Sequence, residues 1–129
     1  MAYNNPQIIS YNFGSVNFAT GSTAKLKPPP GKSRGSIIDV HVSVTVLFTQ
    51  VTTPGYIRIG KTGTAAYYAE VNMGAAAAGA AYNFRDNKTV SRQIDLVADA
   101  VSDVLVTFVA PTGGSPAGTG IVTVAIGWF

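Results

Sequence analysis

The stretch Ser36–Phe48, with the sequence SIIDVHVSVTVLF, decides the fold class. Apolar and mostly polar side chains alternate along it. Side chains of an extended strand point alternately to its two faces, and β-branched residues favour this backbone. A period of two over this length therefore predicts a long β-strand with one buried face. The residues predicted to line that face are Ile38, Val40, Val42, Val44, Val46 and Phe48.

The C-terminal end has the same alternation, and its predicted buried face consists of Val122, Val124, Ile126 and Trp128. Another strand is predicted just before it, from about Asp103 to Ala110. The segment between the two strands, PTGGSPAGTG, is rich in turn-forming residues. This order predicts an antiparallel hairpin with a long connecting loop.

Shorter runs with strand-like composition occur between turn signals such as Pro54-Gly55 and Gly60–Gly63. Together with the long strands they give roughly eight strands, which predicts an all-β fold: an antiparallel β-sandwich or barrel. The shorter predicted strands are Gln7–Phe13, Ser15–Phe18, Gly55–Lys61, Ala66–Val71 and Arg92–Ala98.

Length and composition indicate one small domain without disulfide or metal cross-links. The chain has 129 residues and no Cys, so disulfides, thiolate metal sites and thiol catalysis are excluded. Charged residues make up 12%, about half of typical usage, and the net charge is +3. A weakly charged surface suits a protein that is packed against neighbours. The N-terminus lacks the features of a secretory signal and no long apolar run predicts a membrane span, so we expect synthesis and use without export.

The predicted domain organisation divides the chain at residue 35. Residues 1–35 are expected to form an extended N-terminal arm with a basic, Pro-rich loop, and residues 36–129 the β-sandwich. Residues 73–84 are rich in Ala and Gly, and their composition fits either a short helix or an ordered loop. Near Val97–Val101 a helical turn is the alternative to a strand.

Two patterns that resemble catalytic motifs do not fit their chemistry. Gly55–Thr62 matches GxxxxGK[ST], but its interior alternates as a strand does, and Gly63 stands where a phosphate-binding loop would begin its helix. Asp39, His41 and Ser43 share one face of the long strand at a spacing of ~6.6 Å, too far apart for a nucleophile and its base. We therefore predict no enzymatic activity, no catalytic residue, no cofactor and no metal.

The candidate partner-binding residues are a basic segment and several aromatic side chains. The basic segment has four cations around Pro28–Pro30 and no aromatic residue inside it, which favours an acidic protein surface over nucleic acid. Aromatic residues suit interfaces as well as cores. The predicted contacts are Tyr3, Lys25, Lys27, Lys32, Arg34, Tyr82 and Phe84.

The chain resembles the decoration, or cement, proteins of tailed-bacteriophage capsids. The resemblance rests on Asp103–Phe129, on the long strand from Ser36 and on the segment PGYIRIGKTGT, together with low charge and richness in Ala, Gly, Thr and Val. It implies a jelly roll, a homotrimer on the outer capsid surface, and binding to the lattice of the major capsid protein. The alternative function is a carbohydrate- or receptor-binding sandwich of a phage fibre, and a small hydrolase is a third hypothesis.

Overall fold

The computed structural model describes residues 7–49, 52–74 and 76–129, and Tyr3 lies outside them. The described chain is almost entirely β-structure, with a 3-10 turn at Phe18–Thr20 and one four-residue helix, α1. No helix among the described residues is long and apolar enough to cross a membrane. In chain order the elements are β1 Gln7–Asn17, β2 Ser22–Leu26, β3 Arg34–Thr49, β4 Gly55–Lys61, β5 Thr64–Gly74, β6 Ala81–Asn83, α1 Phe84–Asn87, β7 Lys88–Ser91, β8 Ile94–Asp95, β9 Val104–Val109 and β10 Ala117–Trp128.

The strands form two antiparallel sheets, which confirms the predicted all-β sandwich. Sheet A has the order β1-β10-β3-β6, with β8 also paired to β3, and sheet B has the order β2-β9-β4-β5-β7. The chain passes repeatedly from one sheet to the other. This strand order is compatible with a jelly roll, in which crossing connections close two sheets over one core.

The core lies between the sheets and is lined by the inward-facing residues of both. Phe18 packs edge-to-face against Phe48 and Phe108, with ring centroids 4.9 and 5.5 Å apart. Trp128 is fully buried at the end of β10. The predicted buried face of Val122, Val124, Ile126 and Trp128 is confirmed, and in β9 the inward residues are Val104, Val106 and Phe108. Aromatic and β-branched side chains packed across two sheets supply the apolar burial that stabilises such a sandwich.

The long strand predicted from Ser36 is confirmed as β3, but its alternation breaks at both ends. Val40, Val42, Val44 and Phe48 are buried as predicted, whereas Ile38 is 51% and Val46 48% exposed. Both exposed residues adjoin irregularities in the pairing of β3 with β10. A bulge adds an unpaired residue, so the side chains that follow it change face. A second pairing shift between Val46 and Thr49 returns Phe48 to the core.

Two predictions about chain organisation are wrong for the described residues. Residues 7–17 and 22–26 of the predicted arm are strands of the sandwich, because inward Ile9, Tyr11 and Val16 can pack on the core. The predicted hairpin of the last two strands is absent, since β9 belongs to sheet B and β10 to sheet A. A two-residue turn would force neighbouring strands to pair, whereas this long connector can cross between the layers.

The two segments left open or uncertain by sequence resolve into loops and turns. Residues 76–80 form an ordered loop along β3, in which the Phe48 N–H donates to the Ala76 carbonyl and the Val44 N–H to the Ala80 carbonyl, both at 2.9 Å. The strand predicted over Arg92–Ala98 is reduced to the two residues of β8. A helical turn follows, with the Asp99 N–H donating to the Asp95 carbonyl at 3.0 Å, as in the alternative interpretation.

Candidate functional site

The basic segment forms one end of the sandwich, where β2 ends and β3 begins. Lys25 lies in β2, Lys27 and Lys32 in the connecting loop, and Arg34 at the start of β3. We call these four residues the basic rim. The loop turns at Gly31, whose φ of +79° suits glycine, and the Lys32 N–H donates to the Pro29 carbonyl at 3.2 Å.

Hydrogen bonds attach the loop of the basic rim to the core. The Trp128 indole N–H donates to Tyr11 Oη at 2.9 Å, and the Tyr11 hydroxyl donates to the Lys27 carbonyl at 3.3 Å. At the other end of the loop, the Arg34 N–H donates to the Phe129 carbonyl at 2.9 Å. Burial raises the pKa of Tyr11, which keeps its hydroxyl protonated as a donor. Lys27 and Lys32 therefore project from a loop that is hydrogen-bonded to the core at both ends, and Lys25 and Arg34 from the two strands that this loop joins.

The charges of the basic rim are only partly balanced. Arg34 Nε lies 3.7 Å from Asp95 Oδ2 on the surface, a separation typical of a weak ion pair. Lys25 and Lys27 are exposed and Lys32 is half-buried. None of these three lysines forms an ion pair within the described residues. The rim can therefore offer three ammonium groups to an acidic partner.

A polar cleft of about 410 Å³ adjoins Lys25, between the β4–β5 turn and the loop that precedes β9. Lys61 Nζ lies 4.0 Å from Asp99 Oδ1, and the Tyr68 hydroxyl donates to Asp99 Oδ2 at 2.7 Å. Positive and negative side chains line the cleft in equal number, so it presents no strong charge of either sign. The polar residues of its lining are Lys25, Lys61, Thr62, Asp99, Ser102 and Asp103.

The predicted aromatic contacts have different environments. Phe84 is only 6% exposed and packs in the core, so its ring is not a surface anchor in this chain. Tyr82 lies half-buried in β6, opposite Val42. Sequence could not separate the two, because both flank the same Ala/Gly-rich segment and an aromatic ring suits either environment.

The motif-like residues have ordinary structural roles. Gly55–Lys61 is strand β4, and residues 62–63 form the tight turn into β5, as predicted from its alternation. Asp39, His41 and Ser43 point outward from β3, and Asp39 Oδ1 accepts a hydrogen bond from the Phe84 N–H at 3.4 Å. Along a strand their spacing of ~6.6 Å does not allow a nucleophile to reach its base.

A surface not predicted from sequence is the outer face of sheet A. Among the described residues, Asp39 is the one charged side chain over most of this surface, and the ion pair of Arg34 with Asp95 lies at one end of it, where β8 pairs with β3. The outer face of sheet B differs, since Arg58 pairs there with Glu70 at 2.6 Å. We call the part of the sheet A surface formed by the uncharged outward residues of β1, β10 and β3 the uncharged face. Its outward residues include Ile8, Ser10, Asn12, Ser15, Asn17, Ile121, Thr123, Ala125, Ser36, Ile38, His41 and Ser43.

Comparison with known proteins gives a fold likeness. No family model matches this chain, and no curated protein matches it. A solved structure described as a cyanophage Pam1 capsid asymmetric unit contains a similar chain, with 17% identity, a TM-score of 0.52, and coverage of 98% of this chain and 89% of that one. Another, described as Bacillus endospore appendages that form disulfide-linked pili, has 16% identity, a TM-score of 0.44, and coverage of 99% and 93%. The likeness to the capsid chain shows a shared sandwich fold over nearly the whole of both chains.

Because of the hydrogen bond between Tyr68 and Asp99, we expect the stability of the fold to decrease at alkaline pH. Burial, and then the neighbouring Asp99 carboxylate, raise the pKa of Tyr68 well above its ordinary value. The unfolded chain releases this proton near pH 10 while the folded chain keeps it. The free energy of unfolding should therefore fall above about pH 10, by up to about 1.4 kcal/mol per pH unit from this group.

Tyr68→Phe should remove the contribution of the Tyr68 hydroxyl to the free energy of unfolding and to its pH dependence. We expect a loss of about 1 kcal/mol at neutral pH from the missing hydrogen bond, together with a shallower decline above about pH 10. Urea unfolding at neutral and alkaline pH measures both effects. Tyr56→Phe, on a half-buried tyrosine of the same sheet, is the control. Equal alkaline slopes in the wild type and Tyr68→Phe would show that the bond has no such role.

Proposed function

We propose that this protein is a non-enzymatic virion structural protein that decorates the outer surface of a bacteriophage capsid and binds the lattice of the major capsid protein. The observation that carries the proposal is the fold likeness to a chain of a cyanophage capsid, which extends over 98% of this chain and 89% of that one. Because the match leaves almost no residues over in either chain, the whole sandwich, rather than a common submodule, is the shared unit.

The surface chemistry supports a protein that works packed against others. Only 12% of the residues are charged, and the uncharged face extends across the long strands β1, β10 and β3. The desolvation of such a face on contact with a neighbour costs little free energy, since few charged groups must be removed from water. A free enzyme, by contrast, gains solubility from a charged surface.

The basic rim is the proposed contact with the capsid. Its three lysines without an ion pair among the described residues project from β2 and from the loop that follows it, which is hydrogen-bonded to the core. A loop whose backbone is held in place suits the binding of an acidic surface, because little loop ordering is needed at binding. Tyr82 is a further proposed contact, and Tyr3 remains a prediction from sequence.

Self-association is part of the proposal, with a homotrimer as the form that the family resemblance implies. The glycan-binding alternative has less support. Sugar-binding sandwiches present exposed aromatic rings, whereas every aromatic side chain in the part of the chain that the structure describes is buried or half-buried.

Co-sedimentation with capsids tests the proposal. Purified protein is mixed with empty shells of the phage that encodes it, from a mutant that lacks this gene, and bound protein is measured in the pellet. We expect saturable binding at a fixed ratio to the major capsid protein, weakened by added salt because exposed ion pairs are screened. Absence of saturable binding to shells stripped of the protein would overturn the proposal.

Charge reversal of the basic rim should weaken that binding. The variant Lys25→Glu, Lys27→Glu, Lys32→Glu is expected to bind about tenfold or more weakly, since each exposed ion pair is worth up to about 1 kcal/mol. The matched control is Arg85→Glu, Lys88→Glu, Arg92→Glu, which changes the net charge equally in another region. Equal affinities for the two variants would show that the rim is not the contact.

A further inference from the structure

Strand β1 is an edge strand of unusual composition. Its residues Gln7–Asn17, with the sequence QIISYNFGSVN, include no charged residue and no proline. Among the described residues β1 pairs with β10 alone, so one row of its backbone N–H and C=O groups lacks a strand partner. Such a row is a template for another strand, and edges are usually protected by charge, proline, a bulge or shortness.

The remaining edges have those protections. The edge strand β2 has five residues and includes Lys25, and β7 has four and begins with Lys88. At the other side of sheet A, β6 and β8 have three and two residues. In β1 the pairing shifts between Asn12 and Gly14, which leaves the regular part Gln7–Asn12. Even this part is longer than each of the other edge strands.

Charge and length together indicate what covers this edge. A foreign partner can be selected by opposite charge, but two identical strands always bring identical charges together, and like charges directly opposite are destabilising. An uncharged strand is therefore what self-pairing requires in a chain of net charge +3. Among the edge strands of the described residues, β1 of a second copy is also the one that matches the regular part in length.

We propose that the edge of β1 pairs antiparallel with β1 of a second copy of this chain, around a two-fold axis near Ser10. Sheet A of one copy would continue into sheet A of the other, and the two uncharged faces would form one surface. Ile8, which is 64% exposed at the start of β1, would be partly covered. An isologous contact joins two copies, so in an assembly of homotrimers it would connect neighbouring trimers. This pairing does not depend on the proposed capsid role.

Single cysteines test the pairing, because the natural chain has none. Residues that face each other across an antiparallel pair lie on the same face, so Ser10 would oppose Ser10 of the second copy or lie diagonal to it. Ser10→Cys should give a cross-linked dimer with a short bis-maleimide. Ala125→Cys is the matched control, because Ala125 lies beside Ser10 on the neighbouring strand β10. In the proposed pair it would lie ~14 Å from Ala125 of the second copy, since three strand spacings of ~4.8 Å separate them.

Each outcome of the cross-linking decides the question. Dimer formation with Ser10→Cys at a yield well above that of Ala125→Cys supports edge pairing. Equal yields would point to packing through the uncharged faces instead, and no dimer with Ser10→Cys would also overturn the proposal.

A charge substitution gives a second, independent test. Ser10→Lys places like charges at the two-fold axis and should cause loss of the paired species in sedimentation velocity. Thr23→Lys, an exposed site on the edge strand β2, should retain it. Retention of the pair in a folded Ser10→Lys variant contradicts the proposal. Capsid binding can be measured separately on the same variants, so failure of edge pairing and failure of the capsid role are distinguishable.

Discussion

Replacing Trp128 by alanine is expected to lower the free energy of unfolding by about 3–5 kcal/mol, the range typical of large aromatic-to-alanine changes in a core. Trp128 is fully buried in β10, the strand that pairs with both β1 and β3. Its ring occupies the space beside Gly35, where an added Cβ would lie 2.8 Å from the indole. The substitution leaves a cavity and removes the donor to Tyr11 Oη.

Urea denaturation of Trp128→Ala, followed by circular dichroism, measures this loss. Trp128→Phe keeps most of the apolar volume but not the N–H, and should cost about half as much or less, since volume-conserving exchanges are the best tolerated. If Trp128→Ala were no less stable than Trp128→Phe, the assignment of Trp128 as a main core residue would be wrong.

Gly60→Ala should also be severely destabilising. Gly60 is buried in β4, just before the turn into β5. A Cβ there would overlap with the carbonyl oxygens of Thr64 and Ala65, at a separation that real Cβ atoms do not show. Backbone atoms of a tight turn cannot move aside as a side chain can. We expect a loss of about 3 kcal/mol or more, at the upper end of overpacking costs.

Gly63→Ala is the matched control for Gly60→Ala. Gly63 lies in the same turn with a φ of +84°, and nothing lies within 4 Å of an added Cβ. Its cost should be about 1–2 kcal/mol, from the left-handed backbone alone. Comparison of the two midpoints in thermal or urea unfolding separates steric overlap from backbone strain. A Gly60→Ala variant as stable as Gly63→Ala would contradict the close packing of this turn.

Sequence alone predicted the strands whose side chains alternate without interruption. In the two segments Val40–Val44 and Val122–Trp128, every second side chain is apolar and buried, as predicted. Ile38 and Val46 of β3 did not follow the pattern, because bulges opposite β10 shift them to the exposed side. A bulge depends on the pairing of two distant segments and leaves no clear local signal.

Features that depend on how distant strands are arranged were harder to predict. The alternation of β9 and β10 is the same whether the two strands pair in one sheet or face each other across the core, so the hairpin was a reasonable but wrong prediction. The uncharged face likewise depends on the order β1-β10-β3, which brings together polar but uncharged residues that are far apart in sequence. The alternating Ser, Asn and Thr residues of each strand were visible in the sequence, but the adjacency of the three strands was not.

The basic rim shows which part of a candidate site sequence can supply. The cluster of cations around Pro28–Pro30 was evident from the sequence, and the structure adds that its backbone is tied through Tyr11 and Phe129 to the sandwich. The ion pair of Arg34 with Asp95 was not predictable, since it depends on the pairing of β8 with β3. The three lysines of the rim are therefore available to a partner, whereas Arg34 already forms an ion pair within the fold.

The most direct test of the capsid role is an electron cryomicroscopy map of the native phage particle. We expect additional density on the outer surface of the shell, in repeated contact with the major capsid protein, into which this two-sheet sandwich fits with its basic rim toward the shell. The same density should be missing from particles that lack the gene. A shell identical in both particles, or this sandwich located in a tail fibre, would contradict the account.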